Sequence, residues 1–293
     1  MSVAFLRGTG VALITPFNEQ FEIDLAAHKN IIDFVIEGGV NYLVVLGTTG
    51  ESVTLEKEEK QILIDKTVEF AAGRVPVIAG FGGNNTKAVV NDLKSYDISK
   101  VDAILSVSPA YNKPTQEGIY AHYREIANAT DKPIVLYNVP GRTSSNISAE
   151  TTLKLAADFE NIIAIKEATY NLEQITYLAK NKPEGFYLLS GCDDLIFHEM
   201  GIGFDGVISV AGNVIPKLFT EMINLCLADK FEAAGKIHNK IYDFIFMLFK
   251  QGNPAGAKAV FKHLGLCEEF VRLPLLPVNE ELRQQLGAEL KKL

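Results

Sequence analysis

Short apolar runs alternate along the chain with longer stretches in which apolar residues recur at helical spacing. The runs lack strict polar alternation, which is typical of parallel strands that are buried on both faces. Most of the longer stretches open with a polar cap or an acidic first turn, as helices do. The apolar runs are residues 10–15, 42–47, 75–80, 102–108, 133–139, 162–167, 186–191 and 206–210. The clearest helical stretches are residues 24–37, 56–72, 86–99, 116–129 and 149–158.

This alternation predicts an α/β protein, a (β/α)8 TIM barrel, because eight strand-then-helix units recur every ~20–35 residues. An open doubly wound sheet is the alternative, but eight consecutive units are many for such a sheet, and no G-x-G-x-x-G follows the first run. Beyond residue 210 only helical patterns continue. They cover residues 218–227, 231–249, 254–264 and 280–291. We therefore predict a catalytic barrel over residues 1–225 and a C-terminal helical extension over residues 226–293.

Composition narrows the function classes. The 293 residues are 47% hydrophobic and 22% charged, which is the ordinary balance of a globular protein and excludes a disordered or collagenous chain. The formal net charge of -8, with no basic run, argues against a nucleic-acid partner. No apolar stretch approaches the eighteen or so residues of a membrane span, which argues against a membrane partner.

Cysteine usage and the start of the chain bear on location. Cys192, Cys226 and Cys267 are odd in number and widely spaced, so neither a disulfide framework nor a zinc ribbon is indicated. The first residues lack the charged start, long apolar region and small-residue cleavage site of a secretory signal. We expect a soluble, cytoplasmic protein.

Candidate chemistry is sought at the carboxyl ends of the strands, where the active sites of such barrels lie. Lys166 ends the sixth run, so burial of its stem would lower the pKa of its amine, as a Schiff-base nucleophile requires. Tyr137 ends the neighbouring fifth run and could act as a general acid and base. The alternatives are a lysine that extends to solvent and a tyrosine that packs with its hydroxyl satisfied.

Three loops add candidates for binding. Residues 47–51, which we call the 47–51 loop, contain two glycines and the hydroxyls of Thr48 and Thr49, and could hold a carboxylate or phosphate. A tight connection with threonine caps explains the same residues. Arg142 is a candidate anion clamp or a solvated charge. Tyr111, in a loop flanked by prolines, contacts substrate, lies at a subunit interface or packs within its loop.

Metal and serine chemistry have little support in the sequence. The five histidines form no H-x-H or H-E-x-x-H motif, so we predict no metal site and no cofactor. No G-x-S-x-G elbow indicates a serine hydrolase.

Together these residues resemble the dihydrodipicolinate synthase and N-acetylneuraminate lyase family of Schiff-base aldolases. The resemblance lies in the 47–51 loop and in the segment from residue 137 to residue 168, and it continues through residues 206–210 and 272–278. The segment YNVPGRT at 137–143 resembles the synthase branch, because the sialic-acid lyases lack this arginine.

The resemblance implies condensation of pyruvate with L-aspartate 4-semialdehyde, in the diaminopimelate route to lysine, without metal or organic cofactor. It implies that Lys166 forms the pyruvate imine and that Tyr137 moves protons through Thr48 to Tyr111, the last supplied by a neighbouring subunit of a homotetramer. Pyruvate and semialdehyde are then bound by a further set of residues: Thr49, Arg142, Gly191 and the backbone near Ile208. Of these, Arg142 would hold the carboxylate of the semialdehyde.

Three departures from lysine-inhibited relatives concern regulation. The sequence has Ala110 before the interface tyrosine, Ala88 in the third helix and Lys57 where such relatives carry an aromatic residue, a glutamate and a histidine. A bound cationic effector would therefore lack a carboxylate partner and an aromatic contact, and it would be repelled by the positive charge of Lys57. We predict weak or absent inhibition by lysine.

Two other functions remain as alternatives. A sister aldolase would use the same lysine and pyruvate with a sugar aldehyde, although a polyhydroxylated acceptor favours neutral partners over Arg142. A catalytically silent sensor of keto acids would be expected to have lost one of the reactive residues.

Overall fold

Eight parallel strands close into a barrel in a computed structural model that describes residues 3–293. Each strand pairs with its neighbours in chain order, and Gly8 of the first strand pairs with Gly206 of the last. The strands are β1 (Gly8–Ala12), β2 (Tyr42–Val45), β3 (Val77–Gly80), β4 (Ala103–Val107), β5 (Ile134–Asn138), β6 (Ile162–Glu167), β7 (Tyr187–Ser190) and β8 (Gly206–Ser209). The predicted TIM barrel is confirmed, and the open doubly wound sheet is wrong.

Helices follow the strands around the outside of the barrel. They are α1 (Leu25–Glu37), α2 (Lys57–Ala71), α3 (Thr86–Ser95), α4 (Gln116–Ala127), α5 (Pro140–Thr143), α6 (Ala149–Asp158), α7 (Leu172–Asn181), α8 (Ile196–Met200) and α9 (Pro216–Leu227). The C-terminal extension contains α10 (Phe231–Phe249), α11 (Ala255–His263) and α12 (Glu280–Leu290). Helix α10 packs against α8 and α9, which joins the extension to the barrel. The division between residues 225 and 226 stays a prediction.

Local sequence explains where most of these helices begin. Polar side chains accept a hydrogen bond from the backbone of the first turn, which satisfies donors that a helix start leaves unpaired. These N-caps are Asp24, Asn85, Thr115, Ser148, Asn171 and Asn279. At α2 the side chains of Glu56 and Glu59 form a reciprocal capping box.

One predicted helix is shorter than its pattern suggested. The pattern extended the third helix to residue 99, but α3 ends at Ser95 and Tyr96 is extended. The carboxylate of Asp97 accepts from the N–H of Ser99 at 3.0 Å, and the N–H of Asp97 donates to Gln61 at 2.9 Å. These bonds stabilise a turn where the sequence pattern alone continues the helix.

Apolar side chains form two cores, one inside the barrel and one between the strands and helices. Tyr42 fills part of the inner core and donates a hydrogen bond to the carbonyl of Val207 at 3.1 Å. Its ring lies 2.1 Å from where a Cβ on Gly10 would be, so β1 needs glycine at this position. The interior is therefore packed, and a ligand can enter only from an end of the barrel. Across residues 3–293, no helix combines the length and the apolar content that crossing a membrane requires.

Candidate active site

Lys166 and Tyr137 lie side by side at the carboxyl ends of β6 and β5. The two residues are register partners, and the Lys166 Nζ lies 4.5 Å from the centroid of the Tyr137 ring. Both side chains are buried, with 5% and 7% of their surface exposed. The strand pattern thus brings the predicted nucleophile and the predicted proton carrier into direct contact.

Burial sets the chemistry of the lysine. It lowers the pKa of Lys166 to about 8, with a smaller lowering from the charge of Arg142 and an opposing effect of the Asp193 carboxylate. A substantial fraction of the amine is therefore neutral near pH 8, and only the neutral amine can attack a carbonyl carbon.

Burial has the opposite effect on the tyrosine. It raises the pKa of Tyr137 to about 12, while Arg142 and a side-chain hydrogen bond with Thr48 lower it in part. The phenol therefore carries its proton at neutral pH and can donate it to an oxygen that develops negative charge. These shifts also place Arg142 and Thr48 within electrostatic or hydrogen-bonding reach of Tyr137.

The 47–51 loop differs in one respect from its predicted geometry. It forms a short 3-10 turn at Thr48–Gly50, and a second turn at Ser52–Thr54 separates it from α2. The N–H groups of Gly50 and Glu51 donate within the first turn, at 3.1 Å each. These two N–H groups are therefore engaged within the loop itself. The Thr49 hydroxyl, which is buried, is the better donor.

Gly191 and Ile208 complete the walls around the lysine. A Cβ on Gly191 would lie 3.0 Å from the Lys166 Cε and 2.7 Å from the Ala168 Cβ, so the loop after β7 packs directly on the lysine stem. Ile208 is in the inner core with Tyr137 and lies on β8 opposite Gly10. Gly191 directly follows the end of β7, as the strand-end rule predicts, whereas the family resemblance is what pointed to Ile208.

Arg142 and Tyr111 lie on exposed segments. Arg142 is in α5, which begins with Pro140 at its first position. Tyr111 is 88% exposed and has a left-handed backbone, with φ of 73°. Its N–H donates to the carbonyl of Thr143 at 3.1 Å, so the loop of Tyr111 is tied to the segment of Arg142. Within the single chain, the Tyr111 side chain is directed to solvent.

Two cavities open beside these residues. The first has a volume of about 380 Å³ and is lined in part by Thr48, Tyr137, Lys60 and Ala110. The second has a volume of about 430 Å³ and is lined in part by Gly191 and Asp193, together with aromatic side chains of α10. Tyr137 therefore borders one space, and Gly191, which packs on the Lys166 stem, borders another, each large enough for a small organic acid.

The sequence analysis did not single out Asp193 or Asn253. Asp193 is buried, and its Oδ2 accepts from the N–H groups of Val210 and Ala211 at 3.0 and 2.7 Å. Burial raises the pKa of Asp193. Asn253 donates through Nδ2 to the Thr49 Oγ1 at 3.0 Å. Extending the strand-end rule by two residues past Gly191 finds Asp193, whereas the sequence holds no local signal for Asn253.

Within residues 3–293, no group of three or more histidine, cysteine, aspartate or glutamate side chains has a geometry that could hold a metal ion.

Comparison with known proteins gives a consistent result over nearly the whole chain. The model of the dihydrodipicolinate synthetase family matches residues 5–293. A 4-hydroxy-tetrahydrodipicolinate synthase of Flavobacterium psychrophilum is 51% identical over 286 residues, 98% of each chain. A protein of the same name from Parabacteroides distasonis is 49% identical over 285 residues, 96% of each chain.

Solved structures agree with this match. The crystal structure of a dihydrodipicolinate synthase from Aquifex aeolicus superposes with a TM-score of 0.94 at 43% identity, covering 98% of this chain and 97% of the other. One from Thermotoga maritima superposes with a TM-score of 0.96 at 39% identity, covering 98% of both chains.

Proposed function

The chain belongs to the dihydrodipicolinate synthetase family, and we propose that Lys166 carries its reaction as a Schiff-base nucleophile. The protein is a lyase, a 4-hydroxy-tetrahydrodipicolinate synthase that condenses pyruvate with L-aspartate 4-semialdehyde, in the diaminopimelate route to lysine. The observation that carries the role of Lys166 is its buried amine beside Tyr137, with a pKa lowered to about 8.

The chemistry follows from a neutral amine in a confined site. The Lys166 Nζ attacks the keto carbon of pyruvate, and loss of water gives an imine. Loss of a methyl proton converts the imine to an enamine, whose carbon attacks the aldehyde carbon of the semialdehyde. The amino group of the semialdehyde then attacks the imine carbon, which closes the ring and releases Lys166.

Proton movement is assigned to Tyr137. Its phenol holds a proton at neutral pH and lies against the Lys166 amine, so it can protonate the departing hydroxyl of the carbinolamine. The Thr48 side chain lowers the pKa of Tyr137, and Thr48 would pass the proton on to Tyr111.

Binding is assigned to the residues around this pair. Thr49 and the backbone near Ile208 would hold the pyruvate carboxylate, and Gly191 leaves room for the lysine stem. Arg142 would hold the carboxylate of the semialdehyde, since its charge influences both Lys166 and Tyr137 and its side chain is exposed at the mouth.

The assembly we propose is a homotetramer, a dimer of dimers in which Tyr111 enters a neighbouring subunit's site. The exposure of Tyr111 supports this, because an aromatic side chain that is 88% exposed beside an active site is typical of an interface residue. We also propose a cytoplasmic location, which the three unpaired cysteines within the described residues 3–293 support.

The decisive experiment is turnover of pyruvate with L-aspartate 4-semialdehyde by the purified protein, with Lys166→Ala as the matched variant. The variant should lose turnover by roughly 10⁴-fold or more, and borohydride should no longer trap a pyruvate adduct. An unchanged adduct in Lys166→Ala would exclude the assigned nucleophile. A folded wild type that is active only with sugar aldehydes would instead identify a sister aldolase.

A further inference from the structure

The C-terminal extension reaches back to the 47–51 loop through a buried ion pair. The Lys258 Nζ of α11 lies 2.5 Å from the Glu51 Oε1, and the two side chains are 0% and 1% exposed. The other carboxylate oxygen of Glu51 accepts from the N–H of Arg272 at 2.9 Å. Both oxygens of this carboxylate are therefore held by residues more than two hundred positions further along the chain.

Lys258 is itself fixed from several sides. Its amine donates to the carbonyl of Phe270 at 2.7 Å and lies 4.2 Å from the centroid of the Phe17 ring. The Arg272 guanidinium covers the same ring at 4.4 Å and forms a two-bond pair with Glu59 of α2, at 2.5 and 2.7 Å. The ion pair and its neighbours thus connect the 47–51 loop to the C-terminal extension, and Arg272 connects both to helix α2 on the outside of the barrel.

Stability alone does not account for such a pair. Removing two charges from water costs free energy that their attraction barely offsets, and apolar residues of similar volume are often as stable or more so. What a buried, fully bonded pair adds is one defined geometry. Here it defines the position of Glu51, whose backbone is left-handed with φ of 52°. A residue other than glycine adopts this backbone conformation only where its surroundings enforce it.

A second contact from the extension also fixes the 47–51 loop. The Asn253 Nδ2 donates to the Thr49 Oγ1 at 3.0 Å. Because the hydroxyl oxygen accepts this bond, the hydroxyl proton of Thr49 stays free to donate to another acceptor. Asn253 therefore orients Thr49 as a donor, which is what binding of a carboxylate requires.

We propose that Glu51 and Lys258 are positioning residues for pyruvate, through which the C-terminal extension sets the geometry of the 47–51 loop. The ion pair fixes the end of the turn that carries Thr48 and Thr49, so the distance from Thr49 to the pyruvate carboxylate depends on helix α11. The inference rests on the proposed function, specifically on Thr49 as a ligand of pyruvate.

The test measures KM for each substrate in Lys258→Met, in Glu51→Gln and in the double variant. Lys258→Met leaves a buried carboxylate without its cation and could fail to fold, whereas the double variant buries no unpaired charge. In the folded double variant we expect KM for pyruvate to rise at least about tenfold, because small displacements of a binding group cost this much or more. Arg142, the proposed ligand of the semialdehyde, lies on a segment outside the 47–51 loop and the ion pair. KM for the semialdehyde should therefore stay within about twofold of the wild-type value.

A matched control lies on the same helix. Lys262 also belongs to α11 and pairs with Glu268 and Glu269, but its side chain is 44% exposed. Lys262→Met should therefore leave both KM values at the wild-type level. Asn253→Ala, which keeps the ion pair and removes the bond to Thr49, should raise KM for pyruvate alone.

The outcomes separate positioning from stability. A lower melting temperature with wild-type KM for pyruvate in the double variant overturns the inference and leaves the pair a structural element. If the double variant does not fold, KM for pyruvate in Glu51→Gln decides instead. If the wild-type protein lacks turnover with pyruvate and the semialdehyde, the proposed function is overturned, and the inference that rests on it is overturned with it.

Discussion

Two loops at the same end of the barrel are completed in different ways. The 47–51 loop is fixed within its own chain, because Lys258, Arg272 and Asn253 bind it through buried contacts. The loop of Tyr111 is tied to the barrel by a backbone bond to Thr143, while its aromatic side chain is 88% exposed. On the proposed assembly, we expect one chain to bind pyruvate by itself, whereas proton transfer should need a second copy.

The largest effect expected from this comparison is on Tyr111. Tyr111→Phe should lower kcat by about 100-fold, since loss of a positioned proton carrier costs that much or more. Trapping of pyruvate by borohydride should persist, because Lys166 and the 47–51 loop are complete within the chain. Loss of trapping in a folded Tyr111→Phe protein would show that the two loops are not independent.

Mixed assemblies sharpen the same point. Alone, Tyr111→Phe and Lys166→Ala should each have at most about 1% of wild-type activity, but equimolar subunit exchange should restore about a quarter, because half of the dimers are then mixed and each mixed dimer has one intact site of two. Turnover before and after exchange provides the measurement. If mixing restores nothing in assemblies shown to be mixed, Tyr111 acts within its own chain.

Arg142 lies on the segment that the Tyr111 loop contacts. Arg142→Ala should raise KM for the semialdehyde at least about tenfold, since hydrogen bonds between charged groups contribute that much. The final yield of trapped pyruvate adduct should change little. Failure of trapping with preserved affinity for the semialdehyde would assign Arg142 to the other substrate.

The pH dependence of trapping should report the part of the site that one chain completes. The pKa of Lys166 is lowered to about 8, so the rate should fall about tenfold per pH unit below that value as the amine becomes protonated. Tyr111→Phe should keep this profile, whereas Arg142→Ala should move it to higher pH, because the charge of Arg142 lowers the pKa of Lys166. A shifted pH profile in Tyr111→Phe would show that the two loops depend on each other.

The smallest effect is expected from added lysine. Ala110, directly before Tyr111, lines the first cavity together with Lys60, while Ala88 is exposed on α3. The Lys57 Nζ lies 5.6 Å from the Tyr96 ring centroid, so a further cation near this cavity meets like charge. Lysine titrated to millimolar concentration should inhibit turnover weakly or not at all, and strong inhibition below that range would contradict the prediction.

The sequence alone predicts what depends on local pattern. The apolar run at residues 162–167 coincides with β6, and the rule that barrel sites lie at strand ends leads directly to Lys166 and Tyr137. Helix α8 was not predicted, because five residues carry too little periodicity to recognise. The pair of Glu51 with Lys258 was not predicted either, because the two residues are 207 positions apart and only the closed fold brings them together.

The ion pair between Glu51 and Lys258 also bears on the order in which the protein is synthesised. A nascent chain that has emerged as far as β8 already contains every strand of the barrel, together with Lys166 and Tyr137. The groups that hold the 47–51 loop lie on residues 253, 258 and 272, which are synthesised after the last strand of the barrel. The barrel can therefore close during synthesis, while the loop acquires its final contacts only after residues 253–272 have left the ribosome.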